Sequence, residues 1–178
     1  MITLDNVFTD NALQTYIKEK NVDLWLNTKY EGYTFLSPKQ KGEFGEMFVE
    51  KYMTSKGSKV LSKQNDGHDR IIDGYKTEIK FSLSNKYKNK LRKDSFFINH
   101  VSVGKDWDRL IFVGINYNES ESRLIWFTKQ DFVSGIQNLF DKQQGGKSLS
   151  NDDLKLSGKI DSLLSHSLVK TIDGWYHG

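Results

Sequence analysis

The chain has 178 residues, a formal net charge of +3 at pH 7 and no cysteine. The lack of cysteine excludes disulfides and thiolate-bound zinc, and the four scattered histidines lack metal-ligand spacing, so a cytoplasmic setting is expected. No stretch approaches the roughly 20 apolar residues that cross a bilayer, and the first residues lack a signal-peptide pattern, so no membrane association is expected. The length favours one domain over residues 1–178. The small positive charge permits nucleic-acid binding without requiring it.

Two short elements precede the main part of the chain. Residues 10–20 are predicted to form a helix, and residues 22–26 form a short apolar run. No functional motif lies in either. We therefore expect residues 1–36 to form a helical N-terminal extension that supports a core at about residues 38–140.

A longer helix is predicted from Pro38 to about Ser55. Ser37 fits the capping position, because a proline follows at the first helical position and Gln40 stands three residues after the cap. The main apolar stripe of this helix is expected at Phe44, Met47, Phe48 and Tyr52.

Glu46 is the acid of interest on this helix. It lies near the side opposite the main stripe, but Val49 and Met53 share its side, which indicates that Glu46 is partly enclosed. An enclosed acid needs a partner or a metal ion. Glu43 and Glu50 are the flanking alternatives for the same role.

A β-hairpin is predicted around Asp73-Gly74. Asp-Gly between two apolar-rich runs favours a type I′ turn, which needs positive φ at both central residues. A two-residue turn places Asp69 directly opposite Glu78, and alternation along the strand places Glu78 and Lys80 on one face. Two paired carboxylates repel unless a cation lies between them, so the hairpin predicts a metal site. A three-residue loop would instead send Asp69 to the other face.

Spacing alone does not establish such a site. Asp153-Leu154-Lys155 has the same acid-x-Lys spacing with no hairpin before it. Taken by itself, the hairpin is explained equally well as a solvated strand face. If the carboxylates do converge, their repulsion is expected to raise the pKa of Asp69 or Glu78 in the absence of metal.

Five cations and no acid follow the hairpin, within residues 86–93. Their position next to the predicted site favours contacts with phosphate groups, although charge runs of this kind also occur as solvated loops. The predicted DNA-binding residues are Lys86, Lys88, Lys90, Arg92 and Lys93.

Two strands and a helix are predicted next. Residues 109–115 form a continuous apolar run, as expected of a strand covered on both faces, and residues 122–127 are its predicted neighbour. A helix is predicted from the cap Thr128 to Phe140. Trp107 and Trp126 are assigned to core or edge packing rather than to base stacking.

The last part of the chain differs in composition. Residues 143–178 contain a glycine pair, Gly145-Gly146, near their start and are rich in serine. Small hydroxyl side chains serve as caps and turns, and they can also reach base edges. We expect this segment to be a C-terminal extension of the same domain.

In this order, the segments resemble the PD-(D/E)XK nuclease superfamily. The resemblance covers about residues 38–132 and is carried by Lys41-Gly42-Glu43-Phe44-Gly45-Glu46, Gly57-Ser58-Lys59-Val60, Gly67-His68-Asp69-Arg70-Ile71-Ile72 and Glu78-Ile79-Lys80. It implies an α/β (α+β) fold with a restriction-endonuclease-like core, in which a central mixed β-sheet of about five strands is flanked by helices. One position departs from the family pattern, since His68 stands where a proline often precedes the acid.

The resemblance also implies the site. The implied catalytic residues are Asp69, Glu78, Lys80 and Glu46. The implied cofactor is Mg²⁺, held by Asp69, Glu78, Glu46 and the backbone carbonyl of Ile79, which agrees with the preference of this ion for oxygen ligands. Lys80 would orient or help deprotonate the attacking water.

The implied activity is Mg²⁺-dependent hydrolysis of double-stranded DNA that leaves 5′-phosphate ends. The chain is most similar to small type II restriction endonucleases, or to the small cleaving or nicking subunit of a heterodimeric enzyme. A homodimer is the default, and a heterodimer with a larger recognition subunit is the alternative. A junction resolvase or repair nuclease, and a non-catalytic DNA-binding module on the same fold, are the competing interpretations.

Overall fold

The computed structural model describes residues 12–20, 23, 25–84, 96–116, 122–142, 153–157 and 160–177. The chain divides into two units, residues 1–37 and 38–178. In the described part of the chain, no helix has both the length and the apolar character needed to cross a membrane.

The first unit contains helix α1 (Ala12–Lys20) and one turn of 3₁₀ helix (Tyr33–Phe35). Asp23 organises the loop between them. Its carboxylate accepts hydrogen bonds from the backbone N–H groups of Gly32 at 2.6 Å and Trp25 at 2.9 Å, and from the hydroxyl of Thr34 at 3.0 Å. The bonds from Gly32 and Trp25 are the main reason why the pKa of Asp23 lies below its ordinary value.

The second unit begins with helix α2 (Pro38–Ser55) and is built around a six-stranded mixed sheet. In spatial order its strands are β1 (Val60–Ser62), β2 (Arg70–Ile72), β3 (Tyr75–Leu83), β5 (Arg109–Ile115), β6 (Arg123–Thr128) and β9 (Lys170–Thr171). Strands β3 and β5 are parallel and all other neighbours are antiparallel. This confirms the predicted fold class, with six strands in place of about five, and it is compatible with a restriction-endonuclease-like α+β fold.

A second, three-stranded sheet was not predicted. Its order is β4 (Phe97–Val101), β8 (Leu154–Ser157) and β7 (Asp141–Lys142). Strands β8 and β9 and helix α4 (Ile160–Leu164) all come from the segment that we expected to be a C-terminal extension. Leu156, Ile160 and Leu163 of that segment are buried in the main hydrophobic cluster, so the segment contributes to the core.

Helix α2 has the predicted bounds, and its C-terminus is set by Gly57. This glycine has φ 94°, the N–H of Gly57 donates to Thr54 and the N–H of Ser58 donates to Met53. These two bonds form a Schellman motif.

The stripe that we expected on α2 is confirmed in part. Phe44 and Phe48 pack against Phe81 of β3, whereas Met47 is exposed. The fully buried residues of the helix are Gly45, Val49 and Met53. A Cβ atom on Gly45 would collide with the Cβ of Phe81. The missing side chain lets the helix backbone approach the strand closely.

The segment after β6 is a shorter helix than predicted. Thr128 and Asp131 form a capping box at the start of α3 (Lys129–Ser134). The helix then ends at Gly135, a poor helix former, and Ile136–Leu139 continue as a 3₁₀ turn. Trp107 and Trp126 are almost fully buried, which confirms their assignment to packing.

Candidate active site

The predicted hairpin turn is confirmed. Strand β2 pairs with β3 through Ile72 opposite Tyr75 and Arg70 opposite Thr77, which leaves two residues in the turn. Both turn residues have positive φ, 51° at Asp73 and 88° at Gly74, as a type I′ turn requires.

Asp69 is not paired directly with Glu78, which corrects the predicted register at this one position. Strand β2 begins at Arg70, and the N–H of Asp69 donates at 3.0 Å to the carbonyl of Thr77, the residue that Arg70 already faces. Two residues of one strand therefore lie opposite one residue of the other, as in a β-bulge, which can redirect a side chain. The Asp69 carboxylate accepts a bond at 2.7 Å from the N–H of Ile79, so it reaches β3 beside Glu78.

Glu78 and Lys80 form an enclosed ion pair on β3. Glu78 is only 4% exposed, and the Lys80 ammonium lies 2.7 Å from its Oε1 atom. A buried carboxylate is costly unless it is paired, so Lys80 has a structural role whatever its chemistry. The predicted placement of both side chains on one face is confirmed.

Lys105 is a second cation at Glu78. Its Nζ atom lies 3.8 Å from the Oε1 of Glu78 that Lys80 also contacts. Sequence reasoning missed it, because Lys105 lies in the loop before β5 and only the long-range pairing of β3 with β5 brings it to the site. No local pattern around Lys105 could have identified it.

Glu46 has a partner, as expected of an enclosed acid, and this partner is Arg70. The guanidinium of Arg70 bonds Glu46 at 2.7 Å and Glu50 at 2.9 Å, and it also donates at 2.8 Å to the backbone carbonyl of Asp69. Arg70 thus ties α2 to the start of β2. Of the two flanking alternatives, Glu50 shares this arginine, whereas Glu43 is exposed and pairs with Lys39 at 3.7 Å.

Burial raises the pKa of Asp69 above its ordinary value, and the negative charge of Glu46 adds to this rise. The bond from the Ile79 N–H and the charges of Lys80 and Lys105 act in the opposite direction. A raised pKa at one of the two acids was expected, but its cause is burial rather than repulsion by Glu78. Because Lys80 and Lys105 act on both Asp69 and Glu78, the two acids share one electrostatic environment.

Within the described ranges, no three Asp, Glu or His side chains come close enough together to hold a metal ion. The predicted ligands are instead arranged as two acids, with Glu78 on β3 and Asp69 just before β2, where its carboxylate reaches β3 at the N–H of Ile79, while Glu46 is engaged by Arg70. Mg²⁺ usually takes only one or two carboxylates and keeps several waters, so the two acids fit this ion.

Hydrogen bonds connect the loop before β5 to strand β3 and to the residues that precede β2. The Asp106 carboxylate bonds Lys76 at 2.9 Å and Asn65 at 3.0 Å, and its backbone carbonyl lies 3.2 Å from Nδ1 of His68. His68 is buried. Its contact with Asp106 holds this loop beside Asp69, the residue that follows His68 in the chain.

The five predicted DNA-binding cations, Lys86, Lys88, Lys90, Arg92 and Lys93, lie outside the described residues. A groove of about 550 Å³ opens elsewhere, at the start of β3 and β5, and contains none of the four predicted catalytic residues. Arg109 in its wall is stacked 3.4 Å from the ring of Tyr75, and burial lowers the pKa of this guanidinium.

No protein-family model and no curated protein sequence matches this chain. Among solved structures, the bacterial homing endonuclease I-Ssp6803I is similar with a TM-score of 0.39 and 16% sequence identity, over 65% of this chain and 86% of that chain. A likeness at this level identifies no family for the chain.

Proposed function

We propose that this protein is a Mg²⁺-dependent endonuclease of the PD-(D/E)XK type that hydrolyses phosphodiester bonds in double-stranded DNA. The observation that supports the proposal is the group formed by Asp69, Glu78 and Lys80. The bulge brings the Asp69 carboxylate to β3 beside a buried Glu-x-Lys pair. Two acids and a lysine in one enclosed environment suit the hydrolysis of an anionic ester.

Asp69 and Glu78 would hold the ion, together with the backbone carbonyl of Ile79. Glu46 would join them directly or through water, in exchange for its bond to Arg70. When bound, Mg²⁺ supplies Lewis-acid stabilisation of the negative charge that develops on the phosphate.

Lys80 orients the attacking water and assists the removal of its proton. Its bond to Glu78 fixes the ammonium in place, and the enclosed position strengthens its interaction with an anionic phosphate. The phosphodiester is cut on the side that leaves a 5′-phosphate and a 3′-hydroxyl.

We further propose that cleavage is sequence-specific, as in type II restriction endonucleases or their cleaving or nicking subunits. Each strand needs an active site, so a homodimer, or a heterodimer with a larger recognition subunit, is the proposed assembly. The cations at 86–93 would contact phosphates on either side of the cut. A cytoplasmic location stays a prediction.

The test is digestion of long, sequence-diverse duplex DNA with Mg²⁺, beside a chelated control. We expect discrete fragments whose sequenced ends share one site and carry ligatable 5′-phosphates. Lys80→Met should reduce cleavage by at least about 100-fold, whereas Lys51→Met, at an exposed position of α2, removes the same charge and should not. Preferential cutting of four-way junctions over linear duplex would instead identify a structure-specific nuclease.

A non-catalytic DNA-binding module is the second candidate. It is favoured by the finding that Glu46 and Glu78 each already have a cationic partner and that no three acids or histidines converge in the described part of the chain. This candidate predicts duplex binding that is equal with and without Mg²⁺ and is unchanged in Lys80→Met protein that retains the wild-type circular dichroism spectrum. It also predicts no cleavage with Mg²⁺ or Mn²⁺.

A further inference from the structure

We propose that Lys105 is a second catalytic lysine of this site, which binds a non-bridging oxygen of the phosphate under attack. The proposal rests on the proposed nuclease function and adds a residue that no motif of the sequence indicates. The two lysines that contact Glu78 then have distinct roles, since Lys80 orients the attacking water and Lys105 binds the phosphate.

The two lysines contact Glu78 at different distances. Lys80 lies 2.7 Å from Oε1, which is a hydrogen bond, whereas Lys105 lies 3.8 Å from the same oxygen, which is an ion-pair distance only. Lys105 is also the more accessible of the two, since its side chain is 37% exposed and that of Lys80 is 16% exposed. Lys105 can therefore turn to a substrate oxygen without breaking a hydrogen bond to Glu78.

The backbone at Lys105 is held by contacts at its own carbonyl and at the next residue. The carbonyl of Lys105 accepts a bond from the Lys129 ammonium at 2.6 Å. The next residue, Asp106, is held by Lys76 at 2.9 Å and by the ring of His68 at 3.2 Å. Groups that are positioned before the substrate arrives stabilise a transition state most effectively.

The loop that carries Lys105 also packs closely against the residues that lead into the hairpin. A Cβ atom on Gly67 would lie 2.7 Å from both the Cβ and the backbone N of Asp106. The loop that carries Lys105 is thus in close contact with Gly67, which lies two residues before Asp69 in the chain. A lysine on an anchored loop keeps its backbone position while its side chain reaches the substrate.

The charges at the site are balanced in the free protein, where Lys80 and Lys105 oppose the two acids Asp69 and Glu78. With Mg²⁺ held by the two acids, this balance would no longer need both lysines, and the more accessible one would be free to face the phosphate. Negative charge on the phosphate oxygens is what such a cation stabilises.

In the reaction, the oxygen of water forms a bond to phosphorus as the bond from phosphorus to the 3′ oxygen breaks. The water gives up one proton and the 3′ oxygen takes one. Lys105 takes part in neither proton transfer and acts only through its charge. Arginine, which also carries a fixed positive charge, should therefore replace Lys105 in part.

The test measures single-turnover cleavage of a duplex that contains the site cut by the wild-type protein. We expect Lys105→Met to lower the rate about 100-fold, Lys105→Arg to stay within about tenfold of wild type, and Lys142→Met, at an exposed position of β7, to match wild type. Duplex affinity, measured with Ca²⁺ in place of Mg²⁺, should change by less than about threefold in Lys105→Met. The pH dependence of the rate should keep its shape, because Lys105 moves no proton.

The outcomes separate this inference from the proposed function. If the wild-type protein cuts no duplex, the nuclease function and the role of Lys105 fail together. If the wild-type protein cuts and Lys105→Met is as fast as Lys142→Met, only the role of Lys105 fails. If Lys105→Met loses as much duplex affinity as cleavage rate, Lys105 is an ordinary contact to the DNA backbone. If Lys105→Arg loses as much cleavage rate as Lys105→Met, Lys105 does not act through its charge.

Discussion

The Asp69 carboxyl is partly buried, and one of its oxygens accepts a hydrogen bond from the N–H of Ile79. Burial raises its pKa in the folded protein above its ordinary value. Below the pKa of an unfolded aspartate, both states hold the proton and the group does not affect stability. As the pH rises, the unfolded chain ionises first, so the buried acid lowers the free energy of unfolding. The negative charge with which Asp69 would bind Mg²⁺ therefore destabilises the folded protein.

We expect Asp69→Asn to raise the free energy of unfolding in metal-free buffer at about pH 7 and to leave it unchanged at about pH 3, below the ordinary aspartate pKa. Asparagine keeps an oxygen that can accept the bond from Ile79, so the substitution removes mainly the charge. Urea unfolding with a chelator at both pH values measures the effect. A variant that is less stable than wild type at neutral pH would show that the carboxylate is net stabilising.

The same variant also tests metal binding without any measurement of cleavage. A ligand that binds only the folded state stabilises it. Millimolar Mg²⁺ should therefore raise the urea midpoint of the wild-type protein and leave that of Asp69→Asn unchanged. Equal midpoint shifts in the two proteins would remove Asp69 from the proposed ligand set.

At the level of single elements, helix α2 offers a matched pair of glycines. A Cβ atom on Gly45 would collide with Phe81, whereas a Cβ atom on Gly42 meets nothing within 4 Å. We expect Gly42→Ala to stabilise the protein by about 0.5–1 kcal/mol, the usual gain in a helix interior, and Gly45→Ala to destabilise it by about 1–3 kcal/mol through overpacking. Urea denaturation of both variants measures the difference. Equal effects would mean that α2 does not lie closely against β3.

At the hairpin turn, the effect of a charge on stability can be separated from the effect of backbone conformation. Desolvation alone would raise the pKa of the exposed Asp73 carboxyl, but bonds from the indole of Trp175 at 2.9 Å and the N–H of Lys59 at 2.8 Å leave the pKa below its ordinary value. A depressed pKa stabilises the fold above the unfolded pKa, and this contribution is lost as the pH falls through the folded value.

Asp73→Asn should keep the turn, since Asn-Gly is at least as favourable as Asp-Gly in a type I′ turn. We expect it to destabilise the protein by about 0.5 kcal/mol at about pH 7, a small value because the exposed carboxylate is screened by water. The difference from wild type should vanish below the aspartate pKa in urea unfolding at acidic pH. A difference that persists there would point to the geometry of the turn instead.

The elements that the sequence analysis predicted well have local signals. Pro38 marks the start of α2, Asp73-Gly74 fixes the hairpin turn, and Thr128 with Asp131 caps α3. Each signal acts within about four residues, which is the range over which capping and turn chemistry operates. Such signals also placed Glu78 and Lys80 correctly on one face.

The features that were missed depend on contacts between distant parts of the chain. The bulge at Asp69, the pairing of Arg70 with Glu46 and the approach of Lys105 to Glu78 are set by how α2, β2 and the loop before β5 meet. Strands β8 and β9 are short, and their serine-rich surroundings look like loop sequence. Their pairing is determined by the sheets they join rather than by their own residues.

At the scale of the whole molecule, the strands among the described residues and the main hydrophobic cluster all belong to residues 38–178. The residues of the candidate site, from Glu46 to Lys105, also lie in this unit. Residues 1–37 form a separate unit, in which Asp23 holds the described loop through its own hydrogen bonds. This division predicts that the second unit carries both the stability and the proposed activity.

A chain that starts at Leu36, which keeps Ser37 as the predicted cap of α2, should therefore fold on its own. We expect one cooperative urea transition, with a slope lower than that of the full chain because less surface is exposed on unfolding. It should also cut the same DNA site as the full chain, since no residue of the candidate site has been removed. Circular dichroism followed in urea and end sequencing of digested DNA provide the two measurements. A broad, non-cooperative transition would show that residues 1–35 complete the fold, whereas cooperative folding with loss of cleavage would assign them a part in binding DNA.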